Sequence, residues 1–208
     1  MRSLVVTEFT SLDGVVQAPG GPEEDRSGGF TSGGWLVPFF DETLGARMVD
    51  WVSRAEDFLL GRGTYEIFAG SWPHAPEEGD PIATALNTRT KHVASRSLTD
   101  VGWSGARLVA GDVVEAVRAL RAQDGGELQV HGSPGLCQTL LREDLVDELR
   151  LVLAPVVLGP GKRLFGDGIT PGGWQLTDSQ VTPTGVLLLS YRRAGDVATG
   201  EMEVAVRS

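Results

Sequence analysis

At 208 residues the chain is long enough for one domain with a substantial core, and its 41% hydrophobic and 22% charged content is ordinary for a globular protein. A net charge of −10 argues against a nucleic acid or an anionic membrane surface as the main partner, so any phosphate must be met by a local cluster of cations, nearly all of them arginine. A single cysteine, Cys137, excludes an intramolecular disulfide and a cysteine-rich metal site, and no apolar run reaches membrane-span length; with no signal pattern ahead of the first strand, a reducing cytoplasm and no metal are the expectation.

The β-branched run Ser3–Phe9 reads as a first, central strand, broken by Ser11-Leu12-Asp13-Gly14 and resumed at Val15–Val16. Ala18–Gly34, rich in Gly, Pro and acidic residues, is too polar to pack well and reads as a long lid or binding loop. Asp41 caps a helix whose Leu44, Met48, Trp51, Val52 and Ala55 follow helical spacing. A strand at Phe58–Leu60 stops at Gly61, turns through Arg62 and Gly63, and opens a helix at Thr64. Beyond a Gly70–Gly79 loop, Asp80-Pro81 starts a brief helix to about Leu86, and Lys91–Ala94 and Arg107–Ala110 are short strands. Asp112 and Glu115 have capping-box spacing for a Val113–Gln123 helix. The strand Glu127–Val130 runs through His131-Gly132-Ser133-Pro134-Gly135 into the apolar-periodic Leu136–Leu141, with Ser133 as N-cap and Pro134 at the first helical position. Val146–Leu158 is strand-like but interrupted by Pro155. Trp174–Val181 and Val186–Arg193 pair through a Thr182–Gly185 hairpin connection, and Glu201–Arg207 reads as a last strand. Strands alternating with helices, then a strand-rich final third, imply a single α/β domain: a mixed, mostly parallel sheet flanked by helices, with antiparallel strands at one edge. That edge offers a contact for a homodimer.

Two of these helix starts suit anions. At Gly61-Arg62-Gly63-Thr64 the glycines allow a tight turn and leave space for a ligand, while helix N–H groups and the Arg62 fork suit a phosphate monoester, such as the 2′-phosphate of NADP. The bland alternative is a tight turn with a solvated arginine. The glycine-bearing start at His131–Gly135 is of the same kind, and the two could grip two parts of one dinucleotide. Neither matches the Rossmann fingerprint or the P-loop.

In order and spacing, Ser11-Leu12-Asp13-Gly14, Gly61-Arg62-Gly63-Thr64-Tyr65-Glu66 and Ser95-Arg96-Ser97 resemble the dihydrofolate reductase fold. Val146-Asp147-Glu148-Leu149-Arg150, through Pro155-Val156-Val157-Leu158-Gly159-Pro160-Gly161-Lys162-Arg163-Leu164-Phe165, resembles the reductase domain of the riboflavin-biosynthesis deaminase–reductase and its stand-alone relatives. The resemblance covers nearly the whole chain. It implies NADPH as cofactor, with Arg62, Thr64, Ser95 and Arg96 at the adenosine 2′-phosphate, unless Ser95 and Arg96 are simply a polar loop after a strand, and Gly132, Ser133, Pro134 and Gly135 at the pyrophosphate. It also implies hydride transfer to a carbon–nitrogen double bond, or a sugar carbon in equilibrium with one, in a small-molecule substrate. Candidates for the acid are Asp41, because Trp35, Pro38 and Asp41 echo residues ahead of the substrate-facing helix in dihydrofolate reductases, and Asp13. Each has a structural alternative, Asp41 as a helix cap and Asp13 as a turn aspartate. His131 stands where riboflavin reductases place a substrate-contacting acidic residue, and His131-Gly132 where many dihydrofolate reductases carry Gly-Gly. Its imidazole suits substrate binding or proton donation, or simple packing at a strand end. Trp35, Phe39 and Phe40 suit either an apolar wall for a flat ring or core. Two departures stand out: Thr7-Glu8-Phe9 occupies the strand where riboflavin reductases commonly carry a lysine, and the zinc deaminase signature is absent. The alternative to a reductase is a non-catalytic, ligand-binding relative on the same scaffold.

Overall fold

The computed structural model describes residues 1–202. Its first strand, β1 (Leu4–Thr10), is almost wholly buried, as an apolar run covered on both faces must be. Parallel β5 (Glu127–Val130) and β6 (Glu148–Leu153) flank it, pairing Leu4 with Leu128 and Val6 with Leu149. On the β5 side follow β2 (Ala55–Gly61), β3 (Thr90–Ala94) and β4 (Ala106–Leu108), all parallel. On the β6 side lie antiparallel β8 (Leu187–Arg193) and, at the edge, β7 (Trp174–Val181). The eight strands thus run β4-β3-β2-β5-β1-β6-β8-β7. The expected mixed α/β sheet with an antiparallel C-terminal edge is what forms.

Helices cover both faces. Leu44, Met48, Trp51 and Val52 of α1 (Glu42–Ser53) pack with Ala85 and Leu86 of α3 (Pro81–Thr88) against Phe58, Leu60 and Val93. On the opposite face Val117 of α4 (Val113–Ala122) and Leu136, Cys137, Leu140 and Leu141 of α5 (Pro134–Arg142) cover Leu4, Val6, Leu59 and Leu128. Successive residues of β2 therefore feed opposite cores, as the strand period of two requires.

Several boundaries differ from the sequence expectation. Helix α2 (Arg62–Ser71) begins two residues before Thr64, with Gly61 as N-cap, so the turn glycine is also the helix start. The capping box before α4 is half made: the Asp112 carboxylate accepts from the Val114 and Glu115 N–H groups, while Glu115 pairs with Arg118 instead of reaching back. β6 ends at Leu153, ahead of Pro155, which has no N–H to continue the ladder. Residues 18–34 are tied down despite their polarity. Phe30 is buried, Gln17 Nε2 donates to the Asp25 and Ser27 carbonyls at 3.0 Å, and Glu24 accepts from the Gly20 and Gly21 N–H groups. Of the strand expected at Glu201–Arg207, Glu201 and Met202 are irregular and the rest lies outside the described residues.

Candidate active site

Chain direction reverses at β1. From it the chain steps outward through β2, β3 and β4, then returns to β5 and crosses β1 to β6. Parallel sheets open a crevice at the carboxyl ends of strands around such a point. Here it is widened because β5 stops at Val130, opposite Val6, so Thr7–Phe9 find a ladder partner only in β6.

After β5 the chain swings across to the start of α2. The Gly61 N–H donates to the Gly132 carbonyl at 3.1 Å, and the Thr64 N–H donates to Ser133 Oγ at 3.0 Å. Ser133 thus occupies the N-cap position of α5, but its hydroxyl caps α2. A Cβ on Gly61 would lie 2.7 Å from Ser133 Oγ, and one on Gly132, whose φ is +96°, would lie 2.7 Å from Thr64 Oγ1. Only glycine permits this approach. The Gly132–Ser133 peptide bond is cis. The latch leaves the Arg62 and Gly63 N–H groups of α2 and the Gly135 N–H of α5 without helical acceptors.

Both helix starts open on one cleft of about 550 Å³, lined by Thr7–Phe9, Gln17–Pro19, Glu24, Asp25, Arg62–Thr64, His131–Pro134 and Lys162, among others. Of the residues singled out in sequence, it unites Arg62, Thr64, His131, Gly132, Ser133 and Pro134. Gly61 and Gly135 belong to the same helix starts. Ser95 and Arg96 are outside the lining, but the Gly61–Ala94 register brings the turn that carries them to the same end of the sheet as the start of α2. Ser95 Oγ accepts from the Ser97 and Leu98 N–H groups and shapes that turn.

The other candidates are occupied elsewhere. Asp13 accepts from the Leu158 and Gly159 N–H groups and from Ser11 Oγ, and these bonds, Leu158 first, hold its carboxyl far below the usual range. Asp41 caps α1 through the Leu44 N–H and accepts from Thr184, which lowers its pKa. Neither carboxylate lines the cleft, so both take the structural alternative that the sequence left open. Trp35 is buried, donating from its indole to the Gln17 carbonyl at 2.8 Å, and Phe39 packs on the α1-side core.

Of the carboxyls that line the cleft, Glu8, Glu24, Asp25 and Glu66, the buried one is Glu8, at 7% exposure. Burial lifts its pKa from 4.5 to about 7, opposed in part by the hydrogen bond that Cys137 Sγ donates to its Oε1 at 3.2 Å. Burial beside Glu8 keeps the Cys137 thiol protonated. Beside Glu8, the Thr7 hydroxyl is buried without a partner. The usable signal in sequence was a charged residue inside an otherwise apolar central strand, since such a group is seldom buried without purpose. His131 packs against the Phe58 ring, with centroids 5.7 Å apart, and burial, then the Arg150 charge, push its pKa down to about 4. Among the described residues no cluster of three or more His, Cys, Asp or Glu could hold a metal, and no helix is long and apolar enough to cross a membrane.

The family model of the RibD C-terminal domain matches residues 2–188. The chain belongs to that family. Among relatives of this RibD C-terminal domain is the uncharacterized protein YyaP of Bacillus subtilis strain 168, 24% identical over a 199-residue alignment that covers 93% of this chain and 96% of that one. A putative riboflavin biosynthesis protein from Shewanella sp. PV-4 superposes with a TM-score of 0.68 at 23% identity, covering 92% of this chain and 99% of that one. Dihydrofolate reductase from Enterococcus faecalis, solved with NADP(H), superposes with a TM-score of 0.60 at 17% identity, over 92% and 96% of the two chains. These superpositions establish a dihydrofolate reductase-like fold.

Proposed function

We propose that this RibD C-terminal domain is an NADPH-dependent reductase that transfers hydride to a carbon–nitrogen double bond, or a carbon in equilibrium with one, in a small heterocyclic substrate. The observation that carries this reading is the pair of latched helix starts opening on a single cleft. The residues fit a phosphorylated dinucleotide: free N–H groups at both starts suit the pyrophosphate, the glycines let backbone approach it, and the orphaned Thr7 hydroxyl lacks a partner that a polar ligand would supply. Arg62, with Arg96 alongside, would hold the 2′-phosphate. The present partner of Arg62 is Glu66 at 3.2 Å, an exposed pair worth only a few tenths of a kcal/mol and readily exchanged for phosphate.

Bound NADPH would supply the hydride. The chain's part is to orient, to exclude water and to hold a proton. Glu8, with its pKa near neutrality, is a proton store on the cleft wall. Residues 17–27, fastened at Lys162 by its ion pair to Asp25, form the wall that keeps water out.

Titration with NADPH and with NADH, followed by nicotinamide fluorescence and melting temperature, tests this directly. NADPH is expected to raise the melting temperature more than NADH does. Arg62→Ala should weaken NADPH by about 10- to 100-fold, the value of a charge-assisted contact, and leave NADH nearly unchanged. No response to NADPH overturns the reading. Equal weakening of both nucleotides would remove Arg62 from the 2′-phosphate.

A further inference from the structure

Glu127, Gln129 and His131 alternate along β5 and its continuation, and a part-buried chain of hydrogen bonds links them. Gln129, at 0% exposure, donates from Nε2 to the Trp51 carbonyl and to Glu127 Oε2, both at 2.6 Å. Two acceptors on that atom fix the amide, because the flipped group would set oxygen against two oxygens. Its Oε1 therefore faces His131 Nε2 at 3.1 Å, and an amide oxygen can only accept. The proton of His131 belongs on Nε2, leaving the Nδ1 lone pair free; Nδ1 makes no hydrogen bond among the described residues. Arg150 locks the arrangement. It is 1% exposed, donates to both Glu127 oxygens at 2.9 and 2.7 Å and to Glu148 at 2.7 Å, and lies over the Trp51 ring.

We propose that Gln129 is a positioning residue that holds His131 as a neutral hydrogen-bond acceptor on the cleft wall, selecting ligands that present an N–H donor to it over those that present none. The low pKa of the ring, set by burial and Arg150, acts in the same direction. The choice of ligand rests on the cleft being the binding site proposed above, whereas the tautomer does not.

Proton–nitrogen correlation spectra of 15N-histidine-labelled protein at neutral pH decide the tautomer. The three histidines, His74, His92 and His131, are assigned with His131→Phe. The expected spectrum gives His131 a pyrrole-type Nε2 and a pyridine-type Nδ1, and Gln129→Leu should collapse this into a mixture of tautomers. An Nδ1–H form or an imidazolium in the parent protein overturns the proposal, and that spectrum stands whether or not the variant folds. Uracil at millimolar concentration, with its ring N–H donors, should then move the His131 Nδ1 signal upfield, while 1,3-dimethyluracil, which has none, leaves it in place. Equal responses, or none to uracil, overturn the ligand selection. A fixed tautomer together with no response to NADPH would instead sink the cofactor reading alone.

Discussion

Glu8 makes the folded state pH-sensitive in a direction opposite to most carboxylates. Folded, it holds its proton up to about pH 7; unfolded, it releases it near 4.5. Between those values the native state binds more protons, so the stability Glu8 contributes is full below 4.5, falls as pH rises, and is gone above 7. The span corresponds to about 3 kcal/mol. Glu8→Gln should therefore melt well above the parent protein in mildly alkaline buffer and close to it below pH 4.5. Parallel pH–stability curves for the two proteins would show that Glu8 does not carry the effect. Ser133 is the other residue whose role is specific. Its hydroxyl caps the helix opposite its own, so Ser133→Ala should cost about 1 kcal/mol, read as a lower denaturant midpoint, and protection from hydrogen exchange should fall at the start of α2 rather than of α5.

At the scale of elements, the part most legible in sequence was whatever local chemistry decides. Asp41, Asp80 and Asp112 each accept the first-turn N–H groups expected of an N-cap, because a carboxylate so placed needs nothing from the rest of the chain. What sequence could not give was which loop meets which. The Ser133–Thr64 cap joins residues 69 apart, and no periodicity records it. The same holds for Arg150, which looks like a surface residue of a strand yet lies buried between Glu127 and Glu148. Removing it would strand two carboxylates, so Arg150→Leu should cost about 3–5 kcal/mol by chemical denaturation. A loss under 1 kcal/mol would mean that water reaches and screens the pair. As for the site, both helix starts were legible from their glycines. Glu8 is legible only as a charge inside an apolar strand; that it faces a cleft depends on the neighbouring strand stopping short of it, which no local pattern records.

Over the whole molecule, a net charge of −10 sets the approach of any anionic nucleotide against a repulsive field, which the Arg62–Arg96 corner and Lys162 counter locally. Added salt shortens the reach of that field, to about 8 Å at physiological strength. Association of NADPH should therefore speed up from low to physiological salt in stopped-flow fluorescence. A rate that falls would show that the arginine corner outweighs the global charge.

Because the Gly61–Gly132 backbone bond and the Ser133 hydroxyl fasten the two helix starts to each other, the grip exists before anything enters it. An arriving molecule surrenders its own freedom of tumbling but does not have to organise its host. Apart from Thr64 and Ser133, whose hydroxyls belong to the latch, the side chains facing the hollow are left free to change chemistry without unhooking the frame.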